Sequence, residues 1–205
     1  MIIQRTANAG ILLTLDGVTI LLDGVCPDAN GYPGTPDPLR KELESNLPDI
    51  YAYTHIHADH YDPVFAAHYR QAGGVIIGPQ GSSVTVKGVT VTCVPNRHLG
   101  KADCEHCGFV VKGSQCLWFF GDSSPVKWKN REDLPRPDVV AGPYAYAIAS
   151  GWQITQSLGA QKVIILHLPP KGNDPYGLWP AVMENVKNIP NVHIPDIGEV
   201  VLIDN

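Results

Sequence analysis

Short apolar runs rich in Val and Ile recur along the chain, at 11–15, 18–22, 50–53, 74–77, 84–86, 89–94, 108–112, 116–120, 138–141, 162–166 and 199–203. Each has the length of a strand rather than of a helix. Lys87-Gly88 and Gly113-Ser114 fall between paired runs and read as hairpin turns. Helical stretches separate other runs. Asp62 followed by Pro63 is a start signal, because Asp caps orphan N–H groups and Pro at the first position sacrifices none that was paired. That helix is expected over 63–71, stopped by Gly73-Gly74. Ser150 is expected to cap a second at 151–158, stopped by Gly159; a third spans 176–187 and a short one 38–46. Strands alternating with helices, together with hairpins, predict a layered α/β (α+β) domain with mixed sheets.

Size and composition narrow the class. A chain of 205 residues fits one domain, 1–205, able to bury a sizeable core. With 44% apolar and 17% charged residues it is no disordered chain. The 18 Pro and 20 Gly suit many strands joined by tight turns. A net charge of -5 and no run of Lys or Arg leave no electrostatic footprint for nucleic acid or an anionic membrane. No apolar run approaches the roughly 18 residues of a membrane span. The start has no basic segment followed by an apolar one, so a cytoplasmic location with its five cysteines reduced is the expectation.

The most informative segment is His55-Ile56-His57-Ala58-Asp59-His60, an H-x-H-x-D-H pattern between the run IYAYT and the helix start at Asp62-Pro63. It occupies the carboxyl end of a strand, where sites in α/β sheets lie. In extended chain, residues two apart point to one side, so His55 and His57 can converge on one cation. Asp59 and His60 are adjacent, and as the chain turns toward its helix both can swing to a second cation. A contiguous segment cannot complete two coordination shells. Further ligands are expected from His98 in VPNRHLG, Asp122 in FFGDSS and His167 in IILHLPP, each just past a strand.

In order and approximate spacing, HIHADH, His98, Gly121-Asp122 and His167 resemble the metallo-β-lactamase superfamily. The opening AGILLTLDGVTILLDG also resembles its N-terminal strands and is most like the branch containing ascorbate-6-phosphate lactonase. The resemblance implies a four-layer αβ/βα sandwich with two mixed sheets. It implies that His55, His57 and His98 hold one metal, that Asp59, His60 and His167 hold the other, and that Asp122 bridges them. Asp23 then stands where an acid orients a ligating His from behind; a plain turn is the competing reading.

Imidazole and carboxylate donors without thiolate suit zinc, manganese, iron or cobalt and do not choose among them; two divalent ions are expected, zinc first, with manganese or iron as alternatives. A pair of divalent cations lowers the pKa of a shared water toward neutrality, which points to a binuclear metal-dependent hydrolase of an ester-like bond in a small molecule: lactone, ester, thioester or amide. Asp59 and Asp122 are the candidate catalytic carboxylates, Asp59 as the proton acceptor. The competing readings are a phosphodiesterase or nuclease on the same metal core, an iron protein of oxygen chemistry, and a metal-binding sensor without turnover. Against the iron protein, such relatives usually carry Glu where this chain has His57.

Cys104-Glu105-His106-Cys107 has the spacing of a structural zinc ligand pair, but no second Cys/His pair stands at a suitable distance. A rim loop beside the site, or a redox-sensitive thiol pair, is the plainer reading. Tyr144 and Lys171 follow strands and are candidates to touch substrate, Lys171 through an anionic group. His68 and His193 read as ordinary surface or core residues. Oligomeric state has no signature in the sequence.

Overall fold

The fold is seen in a computed structural model that describes residues 1–100 and 104–204. One sheet contains β1 (Ile2–Arg5), β2 (Ile11–Leu15), β3 (Val18–Leu22), β4 (Ile50–Ala52), β5 (Val75–Ile77) and β13 (Val200–Leu202), in the order β13-β1-β2-β3-β4-β5. The second contains β6 (Ser83–Val86), β7 (Val89–Pro95), β8 (Cys107–Lys112), β9 (Cys116–Phe119), β10 (Val139–Pro143), β11 (Lys162–Leu166) and β12 (Val192–His193), in the order β12-β11-β10-β9-β8-β7-β6. Both are mixed: hairpins make β1-β2-β3 and β6-β7-β8-β9 antiparallel, while β3-β4-β5 and β9-β10-β11-β12 run parallel.

Side-chain alternation explains the layering. In β2 the pattern ILLTL buries Ile11, Leu13 and Leu15 on one face. These meet Phe109, Phe119, Val139 and Ile164 of the other sheet in a core between the two. The strands β9, β10 and β11 are buried on both faces, which is why they read as unbroken apolar runs. Their outer face packs under α3 (Ala149–Ser157) and α4 (Leu178–Val186), where Trp152, Val182 and Val186 join Trp118 and Trp128. Helices α1 (Asp37–Ser45) and α2 (Pro63–Gln71) cover the first sheet through Leu39, Leu43, Phe65 and Tyr69. The result is helix, sheet, sheet, helix: the expected four-layer αβ/βα sandwich.

Local chemistry accounts for most boundaries. Asp62 caps α2 as expected, its Oδ1 accepting from the N–H of Val64 at 2.7 Å and of Phe65 at 3.2 Å. Lys87 and Gly88 take φ of 46° and 87°, the left-handed pair that a two-residue hairpin turn needs.

Three expectations are corrected. Ser150 does not cap α3: the helix begins at Ala149 with Ile148 at the cap position and no side-chain cap. Its entry is set by packing, since Gly151 lies so close to the Ala145 carbonyl that an added Cβ would sit 1.9 Å from it. The last helix spans 178–186, not 176–187, because the carboxylate of Asp174 receives the N–H groups of Leu178 and Trp179, both at 2.9 Å. Strands β1 and β12 were not expected. β12 is two residues long, and in β1 the buried positions are Ile3 and the polar Arg5, which breaks the apolar signal.

Candidate metal centre

All seven residues singled out in the sequence meet at the carboxyl ends of β4, β7, β9 and β11. The loop after β4 carries four of them. The N–H groups of His60 and Tyr61 both donate to the His57 carbonyl, at 2.9 and 3.0 Å. This tight turn brings Asp59 to His167, while the His60 ring stays against that of His55, with centroids 4.2 Å apart, so the division into two pairs that the H-x-H-x-D-H spacing implied is only partial. His98, the Gly121-Asp122 turn and His167 arrive from the other strand ends. His167 has φ of 57°, rare for a residue with a Cβ, which aims its ring back over the sheet edge.

The donor atoms form three overlapping groups: His55, His57 and His98; His55, His60 and Asp122; and Asp59, His60 and His167. Within each, the atoms lie within 4.8 Å of one another. The groups overlap at His55 and His60, and Asp122 belongs to the middle one. Asp122 Oδ2 is 3.4 Å from Nε2 of His60, 3.4 Å from Nε2 of His167 and 3.7 Å from Nε2 of His98. Asp59 Oδ2 stands 3.3 Å from His167 Nε2. His55, His60, His167 and Asp59 are buried, while His57, His98 and Asp122 keep some exposure and mark the open side.

The residues behind the rings decide which nitrogen faces inward. Asp23, fully buried and with φ of 50°, accepts the Thr54 N–H on Oδ1 at 2.7 Å. Its Oδ2 accepts the Thr54 hydroxyl at 2.7 Å and His60 Nδ1–H at 2.9 Å. Thr54 has a single hydroxyl proton, and Asp23 takes it. At its 2.9 Å contact with His55 Nδ1, the Thr54 oxygen therefore accepts, so the His55 proton sits on Nδ1. His98 Nδ1–H donates to the Leu99 carbonyl at 2.6 Å. His55, His60 and His98 thus all turn Nε2, the nitrogen that a metal would take, toward the cluster. Asp23 is hydrogen-bonded to His60 directly and linked to His55 through Thr54, as an acid behind the rings would be, while its φ of 50° also makes it a turn residue.

Charge follows the same division. Burial, then the neighbouring His60, lowers the pKa of His55; burial and His98 lower that of His57. Burial is the largest influence on His60 and His167 and opposes their cations, but Asp122 together with Asp23 at His60 and with Asp59 at His167 outweighs it. His60 is raised well above its ordinary value and His167 to about 9. Desolvation opposes the charge of Asp122, yet His167 and His60 hold it well below the usual carboxylate range.

These residues fit bound metal. The Nε2 atoms of His60, His98 and His167 and Oδ1 of Asp122 are buried without a hydrogen-bond partner, a costly arrangement unless something else binds them. Imidazole nitrogens and carboxylate oxygens converging on common points are the donor set for zinc, manganese or iron.

His106 escaped the sequence reading, where it figured only inside the C-x-x-C spacing. It is buried one residue ahead of β8, and its Nε2 accepts the Asp122 N–H at 3.0 Å. Burial lowers its pKa to about 3, so it stays a neutral acceptor and fixes the Asp122 turn. Its signal was its place at a strand terminus on the edge where the other histidines lie. Cys107 makes a side-chain contact with Cys93 on the neighbouring strand, and no group of potential ligands among the described residues includes Cys104 or Cys107. Lys171 is 3.8 Å from Asp196 and lies over the Trp179 ring, apart from the cluster. His68 and His193 also stand apart, with contacts to the Glu44 carbonyl and to Glu199. The Tyr144 ring centroid lies 6.5 Å from that of His167.

Two mixed sheets packed face to face between helices, with a His/Asp cluster on their common edge, make the metallo-β-lactamase fold. Solved structures agree over the whole chain. The isothiocyanate hydrolase from Delia radicum gut bacteria superposes with a TM-score of 0.71 at 17% identity, covering 100% of both chains. The metallo-β-lactamase fold protein YhfI from Bacillus subtilis gives 0.63 at 14% identity, over 98% of this chain and 97% of that one. CmlA, a diiron β-hydroxylase from Streptomyces venezuelae, gives 0.65 at 15% identity, over 98% of this chain and 54% of that one. At such identities the likeness shows the fold alone. No protein-family model and no curated protein matches the sequence.

Proposed function

We propose that the chain is a metal-dependent hydrolase of a small molecule, using two divalent cations, most simply zinc, against an ester-like bond. The observation that carries this is the pair of donor triads, with Asp122 Oδ2 within 3.7 Å of Nε2 atoms from both, and with Nε2 of His60, His98 and His167 buried without a hydrogen-bond partner. His55, His57 and His98 would hold one ion; Asp59, His60 and His167 the other; Asp122 would contribute to both. When bound, the ions supply a water of lowered pKa and polarise the bond under attack. The protein does the rest. Asp59 Oδ2, held beside His167 Nε2, is placed to receive the proton of the attacking water. Asp23 and His106 keep His60, His55 and Asp122 from turning, so the groups need no reorganisation as charge develops.

The isothiocyanate hydrolase shows one reaction that this fold carries, and the lactonase-like opening of the sequence supports a lactone. No helix among the described residues is long and apolar enough to cross a membrane, in keeping with a cytoplasmic enzyme acting on a diffusible substrate. The test is a panel of chromogenic ester, lactone and thioester substrates, an aryl isothiocyanate and a bis-phosphodiester, offered to zinc-loaded protein and to Asp59→Ala. Turnover by the wild type that drops roughly 100-fold or more in the variant supports the reading. Turnover undiminished in the variant, or a loaded protein inert on every member, contradicts it.

A further inference from the structure

Two phenols stand over the His167 side of the centre, from loops far apart in the chain. The Tyr32 ring meets the His167 ring edge-on, with centroids 4.5 Å apart and planes at 71°. Tyr144 approaches the same ring from the carboxyl end of β10. Both are half-buried, and neither hydroxyl has a hydrogen-bond partner among the described residues. By contrast, the core phenol Tyr69 donates to the Pro48 carbonyl, and the Tyr146 hydroxyl is bonded at Ser123.

Both rings sit on rigid supports. Tyr32 closes a two-residue turn in which Asn30 and Gly31 have φ of 53° and 80°; Ala29 and Tyr32 exchange N–H···O bonds of 3.1 and 2.8 Å. The Asn8 N–H donates to the Pro33 carbonyl and ties this turn to the β1–β2 connection. Tyr144 is fixed by the bond of Ala147 N–H to its carbonyl at 2.9 Å. A cleft of about 430 Å³ between residues 28–33 and Pro170 opens beside Tyr32. No lysine or arginine among the described residues forms an ion pair with any of the seven cluster residues.

We propose that Tyr32 and Tyr144 are substrate-contacting residues that donate hydrogen bonds to the heteroatom on which negative charge gathers, and that the substrate is an uncharged carbonyl- or thiocarbonyl-type electrophile rather than a phosphodiester anion. This rests on the hydrolase reading. Preorganised neutral donors aimed at developing charge are the efficient arrangement for such a reaction. Two neutral phenols, with no Lys or Arg paired to the cluster, favour an uncharged substrate over an anionic one. A phenol's ordinary pKa of about 10 keeps both hydroxyls as donors near neutral pH.

The test compares wild type, Tyr32→Phe and Tyr144→Phe, each loaded with cobalt(II), by metal content, by visible titration with acetohydroxamate, and by turnover of the best substrate in the panel. With cobalt content unchanged, each variant should bind hydroxamate roughly tenfold more weakly. Turnover should fall roughly tenfold or more in kcat with little change in KM. Binding and kcat within about twofold of wild type overturn the proposal while leaving the hydrolase reading intact. Loss of cobalt in the Phe variants also overturns it, by making the phenols supports of His167. Faster turnover of the bis-phosphodiester than of every carbonyl compound refutes the substrate class. A wild type inert on the whole panel removes the hydrolase reading, and the hydroxamate titration then decides the phenol contacts alone.

Discussion

Asp23→Asn is the most instructive single change, because it keeps the shape of a buried side chain and alters only its proton inventory. Position 23 has φ of 50°, which Asn tolerates better than other residues with a Cβ, so the backbone is spared. The Asn oxygen can still accept the Thr54 N–H. Its amide then faces two donors that formerly met a carboxylate oxygen: the Thr54 hydroxyl and His60 Nδ1–H. Thr54 can turn its hydroxyl proton toward His55 Nδ1 instead, but this drives the His55 proton onto Nε2, the atom meant for metal. His60 Nδ1–H is left buried without an acceptor, at a cost of about 1–3 kcal/mol. Losing the groups that orient ligating histidines costs about 10–100-fold in metal affinity, or about 1.4–2.7 kcal/mol. Urea unfolding of the metal-free variant and zinc titration against a chromophoric chelator read the two effects separately. Wild-type zinc affinity in Asp23→Asn would refute the relay from Asp23 through Thr54 to His55.

Other outcomes follow from the same geometry. The folded pKa of His167, about 9, and the raised value of His60 lie above the ordinary histidine value of 6.5. Their contribution to the metal-free protein is therefore complete below about pH 6.5 and lost as pH rises through about 9. Denaturant midpoints of the apo protein should fall across that window, while zinc affinity should rise over it as the competing protons leave; calorimetry in buffers of different ionisation enthalpy counts the protons released, and none released near pH 7 would contradict the assignment. His106→Phe keeps a ring but strands the Asp122 N–H, so it should cost about 1–3 kcal/mol in urea unfolding and lower metal occupancy. Gly121→Ala places a Cβ 2.5 Å from Thr54 Cγ2 at φ of 52°, and a thermal shift of several degrees downward is expected.

The sequence exposed the centre because its donors cluster: four lie within the six residues 55–60, and the other three each sit just past an apolar run. A ligand that follows a strand is easy to place, since the parallel strands bring their carboxyl ends to one edge. The gathering of those seven residues is geometry; their ligation is the proposal under test. What supports them was less visible. His106 precedes its strand rather than following one, and Tyr32 reaches His167 only through a turn whose Asn30-Gly31 pair marks a bend but not its destination. Ser150 misled because capping preference is local, whereas the contact of Gly151 with the Ala145 carbonyl, which sets the start of α3, is made in the folded chain. β1 stayed hidden because Arg5 is buried with its guanidinium donating to the carbonyls of Ala7, Asn8 and Pro195, a use of Arg that no hydrophobic pattern shows.

The most direct test is anomalous scattering at the zinc edge from crystals grown with zinc. About two peaks are expected, one among His55, His57 and His98, the other among Asp59, His60 and His167, each within bonding distance of Asp122. A single peak, or zinc bound elsewhere with these seven side chains unchanged, would contradict a binuclear centre.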